Sequence, residues 1–135
     1  MKILVSGGTG LVGQELVRVL AIRGHETLIL TRNISQRSLQ NYFHWDPKKD
    51  QFDITALQDV DCLIHLAGAG ISQGRWTKKR KETLHNSRIA SAKFLHRKCL
   101  ELKVSPKYFI SCSAIGWYGG INDLEPKTED MNAYP

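Results

Sequence analysis

The feature that most constrains this chain is a glycine-rich segment, Gly7-Gly8-Thr9-Gly10-Leu11-Val12-Gly13, between an apolar run and a helical pattern. The apolar run predicts a strand, and the glycines fit the spacings G-x-G-x-x-G and G-x-x-G-x-x-G. Such turns need glycine because the backbone turns tightly and approaches a pyrophosphate closely. The following helix would direct free N–H groups and its positive dipole end at the phosphates. The segment predicts a dinucleotide site; the alternative is a glycine loop without a ligand.

Strand and helix patterns alternate along the rest of the chain. Strands are predicted at 2–6, 26–31, 42–45, 62–66 and 108–111, helices at 11–23 and 77–102, and one or two helical turns at 53–59. This alternation predicts an α/β fold, a Rossmann-type doubly wound parallel sheet with strand order 3-2-1-4-5. We expect residues 1–119 to form the dinucleotide-binding domain. Residues 120–135 are expected to be a mobile polar tail leading to an absent C-terminal substrate region, so the fold would be truncated after strand five.

Helical periodicity predicts which side chains are buried. The first helix is predicted to bury Val12, Leu16, Val19 and Leu20. The long helix is predicted to bury Leu84, Ser91, Ala92, Leu95, Cys99 and Leu102. Arg88 falls on the same stripe and would need a partner, either a carboxylate or the cofactor, unless its head reaches water. His65, inside a strand, is interpreted as a core or hydrogen-bonded histidine rather than a catalytic one.

Composition limits the class of protein. No apolar run reaches the length of a membrane span, and no signal-peptide pattern is present, so we expect no membrane partner. The three cysteines (Cys62, Cys99 and Cys112) lack metal-like spacing and are predicted to be reduced and buried, which favours a cytoplasmic protein.

The net charge of +6 fits either a nucleic-acid partner or an anionic cofactor. The clearest basic run is 75–81, at a predicted helix start where cations oppose the dipole and nearby phosphate would offset that cost. The alternative is an ordinary solvated helix start.

The end of the second strand indicates which nicotinamide cofactor binds. NAD-selective sites usually place Asp or Glu there, whereas this chain has Thr31-Arg32-Asn33. A guanidinium pairs well with a 2′-phosphate, and Thr31 can add a hydroxyl bond, so NADP is predicted over NAD. The alternative is that Arg32 is a solvated loop charge. Small residues in Leu66-Ala67-Gly68 would let the adenosine and ribose lie over the tip of a strand.

These motifs together resemble a known family. The chain is similar to the short-chain dehydrogenase/reductase superfamily, and within it to the atypical epimerase family proteins, which are NAD-dependent epimerase/dehydratase-like. The stretches that carry the resemblance are 7–13, 31–33, 65–68, Arg75-Trp76, Ser87-Arg88 and 111–119. The resemblance implies cofactor contacts from Gly7, Thr9, Gly10, Leu11, Val12, Gly13, Thr31, Arg32, Leu66, Ala67, Gly68 and Arg88. It also implies that Ser113 is the active-site serine, which hydrogen-bonds a substrate oxygen beside an acid/base tyrosine.

The chain departs from the superfamily at that tyrosine. No Tyr-x-x-x-Lys follows Ser113, and Tyr118 has Asn122 four residues later. Trp117 and Tyr118 are therefore expected to line the site or to pack beneath it. We expect the isolated chain to be inactive, although the longer parent would be an NADP-dependent oxidoreductase or epimerase acting on a small sugar-like or carbonyl/alcohol substrate.

Two other functions stay open. The chain could be a non-catalytic NADP-binding module that senses redox state. Nucleic-acid binding through 75–81 is less favoured, because Trp76 is the only aromatic residue in that run. We also expect the sheet edge after strand five and the long helix to be exposed, which would favour a homodimer or an aggregation-prone monomer.

Overall fold

The computed structural model describes residues 1–34, 40–72, 74–112, 128 and 130. The elements in chain order are β1 (Lys2–Ser6), α1 (Leu11–Ile22), β2 (Glu26–Thr31), β3 (Tyr42–Asp46), β4 (Gln51–Phe52), a 3₁₀ turn (Ile54–Leu57), β5 (Cys62–His65), α2 (Lys78–Glu101) and β6 (Tyr108–Ser111). Among these residues, neither helix combines the length and the apolar character that a membrane crossing requires.

The six strands form one sheet in the order β4-β3-β2-β1-β5-β6. Five strands are parallel, and they follow the predicted order 3-2-1-4-5. The sixth, β4, was not predicted: it pairs antiparallel with β3 through Trp45–Phe52 and Asp46–Gln51. It extends the sheet by one short strand beyond β3 and leaves the parallel core unchanged.

The two helices pack on opposite faces of the sheet. Alternate residues of β1 serve the two faces, because successive strand side chains point in opposite directions. Ile3 and Val5 join Cys62 and Ile64 beneath α1, whereas Leu4 belongs to the larger core beneath α2. That larger core consists of Leu4, Leu28, Leu30, Trp45, Ala56, Leu57, Val60, Leu63, Phe94, Leu95 and Cys99. The molecule is therefore a three-layer, doubly wound α/β structure.

Two predictions of burial are wrong. Val12 is 68% exposed, and α1 packs on the sheet through the predicted Leu16 and Leu20 together with Val17. Leu11 and Val12, in the first turn of α1, are both exposed, and the helix packs on the core from Leu16 onward. Cys112 is also exposed, whereas Cys62 and Cys99 are buried as free thiols whose pKa values burial raises.

Candidate functional site

The carboxyl ends of the parallel strands form the edge at which the sequence motifs meet. The chain builds the sheet outward from β1 to β2, β3 and β4, and then returns to place β5 on the other side of β1. Ligands of open α/β sheets bind in the crevice at such a reversal. The loops after β1 and β5, residues 7–10, 66–72 and 74–77, border this crevice.

Two glycines of the turn after β1 are required by the packing of the chain against itself. Gly7 has φ +79°, and a Cβ there would lie 2.7 Å from the Leu66 carbonyl carbon and the Ala67 nitrogen. A Cβ on Gly13 would lie 2.2 Å from the Gly7 oxygen. The turn therefore closes against the loop after β5, and α1 starts directly against the turn.

Gly10 differs, because nothing in the described part of the chain requires a glycine at this position. Its φ of −80° suits any residue, and the nearest heavy atom to an added Cβ would be the Gly7 oxygen at 3.4 Å. Gly10 is the N-cap of α1 and supplies no side-chain cap. The absence of a side chain leaves the surface at the start of α1 open to a ligand.

The first turn of α1 has free backbone N–H donors and no negatively charged side chain. The backbone N–H groups of residues 11–13 have no partner within a helix, and the first turn contains no acidic residue. Leu11 and Val12 beside them are 91% and 68% exposed. Uncapped donors at a positive helix end, next to a glycine that leaves room for close approach, fit a pyrophosphate.

Arg32 and Thr31 occupy the carboxyl end of β2. Thr31 is buried, and its Oγ1 accepts a hydrogen bond from the Asn33 amide at 3.3 Å. This bond shapes the turn that carries Arg32. Arg32 is exposed, and no hydrogen bond or ion pair joins its guanidinium to another described residue. The guanidinium is therefore available to an anion, whereas the Thr31 hydroxyl already accepts a hydrogen bond within the turn.

Helix α2 holds the loop after β5 through polar contacts. Ser87 Oγ accepts a hydrogen bond from the Ala69 amide at 2.9 Å, and Arg88 donates to the Ala69 oxygen at 3.3 Å. Arg80 donates to the Gly70 oxygen. A Cβ on Gly68 would lie 3.2 Å from Arg88 Cζ. The small residue at 68 therefore makes room for the Arg88 side chain.

Arg88 is exposed, as in the alternative in which its head reaches water, and it is not a buried arginine. Its partners in the described part of the chain are two backbone carbonyls, of Ala69 and of Leu84 at 3.1 Å, and not a carboxylate. A guanidinium carries five N–H groups, so donors remain at the border of the crevice.

His65 is the centre of a buried hydrogen-bond chain that joins β1 to α2. Ser6 Oγ lies 2.6 Å from His65 Nδ1, and Ser91 Oγ lies 3.0 Å from His65 Nε2. Ser91 Oγ also lies 2.6 Å from the Ser87 oxygen, so its one hydrogen is directed at the helix carbonyl. We therefore assign the neutral tautomer in which Nε2–H donates to Ser91 and Nδ1 accepts from Ser6.

Burial lowers the pKa of His65, because the imidazolium would be poorly solvated, and this effect exceeds that of a hydrogen bond to the Arg88 backbone, which acts in the opposite direction. His65 is thus a hydrogen-bonded core histidine, as the sequence predicted. Its partners Ser6 and Ser91 were not predicted to bind it. The spacing of Ser87 and Ser91 by one helical turn was the available signal for a polar face on α2.

The structure thus brings the twelve predicted cofactor residues to one edge of the sheet. They are Gly7, Thr9, Gly10, Leu11, Val12, Gly13, Thr31, Arg32, Leu66, Ala67, Gly68 and Arg88. Ser113, Trp117 and Tyr118 lie outside the described residues.

Comparison with known proteins identifies the family. The sequence model of the NAD dependent epimerase/dehydratase family matches residues 3–135. The chain belongs to this family. Family membership supports a nucleotide-binding domain with a nicotinamide dinucleotide as its cofactor.

The relatives are longer proteins. An epimerase family protein of Mycobacterium leprae is 32% identical over 121 residues, which are 90% of this chain and 38% of that protein. Epimerase family protein YfhF of Bacillus subtilis is 37% identical over 126 residues, 88% of this chain and 39% of that protein. The chain thus spans less than half the length of these relatives.

Solved structures share the fold. A UDP-N-acetylglucosamine 4-epimerase from Bacillus cereus is 31% identical with a TM-score of 0.72, and the match covers 100% of this chain and 48% of that chain. A human epimerase family protein, solved with NADPH, is 24% identical with a TM-score of 0.76. The match covers 98% of this chain and 43% of that chain. At that identity the human structure supports the fold alone.

Proposed function

We propose that this chain is the NADP-binding domain of an epimerase/dehydratase-like oxidoreductase whose whole protein acts on a small sugar-like or carbonyl/alcohol substrate. The observation that carries the proposal is the start of α1. There, Gly10 leaves an open surface beside three backbone donors, and no acidic residue repels a phosphate. A nicotinamide, when bound, exchanges a hydride with a substrate carbon; this chain's residues bind and orient it.

Arg32 is the residue on which the preference for NADP depends. Its guanidinium is exposed, it follows the strand that places an acidic residue in many NAD sites, and no Asp or Glu occurs between positions 27 and 45. A 2′-phosphate would gain charge-assisted hydrogen bonds from Arg32 that a 2′-hydroxyl cannot match.

The test is calorimetric titration of the wild type and the Arg32→Glu variant with NADPH and, separately, with NADH. We expect Arg32→Glu to weaken NADPH binding by at least about tenfold, or about 1.4 kcal/mol, and NADH binding far less. Arg23→Glu is the matched control, because it reverses the same charge after the far end of α1. Equal loss of both cofactors in Arg32→Glu would count against the assignment.

A non-catalytic redox-sensing module is the second candidate. The observation that favours it is the lack of a Tyr-x-x-x-Lys anywhere in the sequence. A sensor must bind the reduced and oxidised cofactor with different affinities, because a ligand shifts an equilibrium only by its differential affinity. Affinities for NADPH and NADP⁺ that differ by more than about tenfold would favour the sensor. Similar affinities would favour the domain of an enzyme.

A further inference from the structure

The positive charge of this chain is concentrated in one stretch. Residues 62–100 contain nine Lys or Arg and a single carboxylate, Glu82, whereas the rest of the chain contains ten Lys or Arg and twelve Asp or Glu. The net charge of +6 therefore originates from the loop after β5 and from α2.

Only the C-terminal part of α2 has its charges balanced. Arg97 and Lys98 form ion pairs with Asp50 and with Glu101. At the other end, four cations are exposed and form no ion pair or hydrogen bond through their side chains with any described residue. We call these four residues the α2 patch: Arg75, Lys78, Lys79 and Lys81.

The α2 patch overhangs the carboxyl edge of the sheet. Ser91 lies at the level of the end of β5, because it contacts His65 there. Lys79 precedes Ser91 by twelve residues, so at 1.5 Å per residue it lies roughly 18 Å farther along the helix axis. The N-terminal part of α2 therefore extends beyond the carboxyl ends of the strands. The glycine turn and the loop after β5 border the crevice on this same side.

The α2 patch lacks the features of a tight phosphate site. Thr77 Oγ1 already accepts the Arg80 amide at 3.2 Å, and the Arg80 guanidinium donates to the Gly70 oxygen. The free cations are on long, solvated side chains that repel one another and the positive end of the helix. Such a patch acts through its field, which weakens over about 8 Å at physiological ionic strength.

We propose that the α2 patch steers the anionic dinucleotide toward the glycine turn and raises its association rate, without holding the cofactor in the final complex. This inference rests on the proposed function. Charges of one sign beside a cleft raise the local concentration of a counter-charged ligand and can raise its association rate about 10- to 1000-fold. The bound complex would be held elsewhere, at the start of α1 and at Arg32.

The test is stopped-flow measurement of NADPH association and dissociation at low and at physiological ionic strength. The patch variant combines Lys78→Gln, Lys79→Gln and Lys81→Gln. The matched control combines Lys93→Gln, Lys103→Gln and Lys107→Gln, which removes the same charge from the middle of α2 and from the opposite edge of the sheet. A second control changes the three patch lysines to Arg and keeps their charge.

We expect the patch variant to associate about tenfold more slowly at low ionic strength, with a flatter salt dependence. Its dissociation rate should stay within about twofold of the wild type, because steering acts before the complex forms. Both controls should associate at nearly the wild-type rate.

Three results would overturn the proposal. They are an unchanged association rate, an equal decrease in the charge-removal control, and a faster dissociation rate that accounts for the loss of affinity. Failure of the proposed function is distinguishable, because the wild type itself would then give no binding signal.

Discussion

The two long helices both direct their N-termini toward the carboxyl edge of the sheet, yet their first turns have opposite chemistry. Gly10 is the N-cap of helix α1, which has no side-chain cap and no charge in its first turn. Thr77 is the N-cap of helix α2, and its hydroxyl caps the Arg80 amide; the first four residues of α2 are all cationic. The start of α1 therefore exposes uncapped backbone N–H groups. At the start of α2, the Arg80 amide has an acceptor, and the exposed groups are positively charged side chains.

The comparison shows that the N-terminus of a helix can interact with an anion in two ways. Backbone donors act at contact distance and need a neighbour without a side chain, which Gly10 provides. Mobile lysine side chains act at longer range and need no shaped cavity. We infer that α1 contacts the phosphates and that α2 attracts them, so changes at the two starts should have different consequences.

The largest effect is expected from Gly13→Ala, which tests whether α1 depends on its contact with the glycine turn. The new Cβ would lie 2.2 Å from the Gly7 oxygen, a backbone atom that a rotamer change cannot move. We expect a loss of at least about 3 kcal/mol in the free energy of unfolding, or failure to fold. Chemical denaturation followed by circular dichroism measures it.

Gly10→Ala is the matched variant at the ligand-facing position. Its Cβ would meet only the Gly7 oxygen at 3.4 Å, so stability should change by less than about 1 kcal/mol. NADPH affinity should fall by at least about tenfold, because the methyl group occupies the space through which a phosphate approaches. A destabilised Gly10→Ala variant with normal NADPH affinity would contradict the proposal that Gly13 is needed for folding and Gly10 for ligand binding.

The next prediction concerns His65, which connects the glycine turn to α2. It contacts Ser6, just before the turn, and Ser91 on the helix. His65→Gln should lower the free energy of unfolding by about 2 kcal/mol at pH 7.5, because at least one buried serine hydroxyl loses its partner. Urea denaturation measures this loss. Ser91→Ala provides the comparison, because it removes one bond of the same chain and keeps the imidazole.

The pH dependence gives this prediction a second readout. The pKa of His65 is lowered on folding, so the unfolded chain binds more protons when the pH falls below the ordinary value of 6.5. Its contribution to stability is thus fully present above pH 6.5 and is lost as the pH falls from there toward the folded pKa. The decrease in stability between pH 7.5 and 5.5 should be smaller in His65→Gln; an equal decrease would show that other groups cause it.

The sequence predicted the parallel sheet well because the governing rules are local. The glycine turn, the apolar strand runs and the long helical pattern each specify their own element, and the chirality of the connections then leaves one strand order. Strand β4 was missed because Gln51 and Phe52 are too few residues to show a period of two.

The error at Val12 has a physical cause. Helical periodicity states which residues share a face, but not where the contact with the neighbouring sheet begins. Val12 is exposed in the first turn of α1, whereas the helix packs on the sheet through Leu16, Val17 and Leu20. Because this helix end borders the crevice, the pattern fails at a residue of the candidate site.

The smallest expected effect is that of Thr77→Ala, which changes the start of α2 in the direction opposite to Gly10→Ala. Loss of the cap should lower the free energy of unfolding by about 1 kcal/mol, because the Arg80 amide loses its acceptor. Thr77→Ser, which keeps the hydroxyl, should be close to the wild type. NADPH affinity, measured by calorimetry, should be unchanged in both variants, since α2 attracts the ligand without binding it. If Thr77→Ala instead weakened binding as much as Gly10→Ala does, both helix starts would contact the phosphates, and the distinction between them would fail.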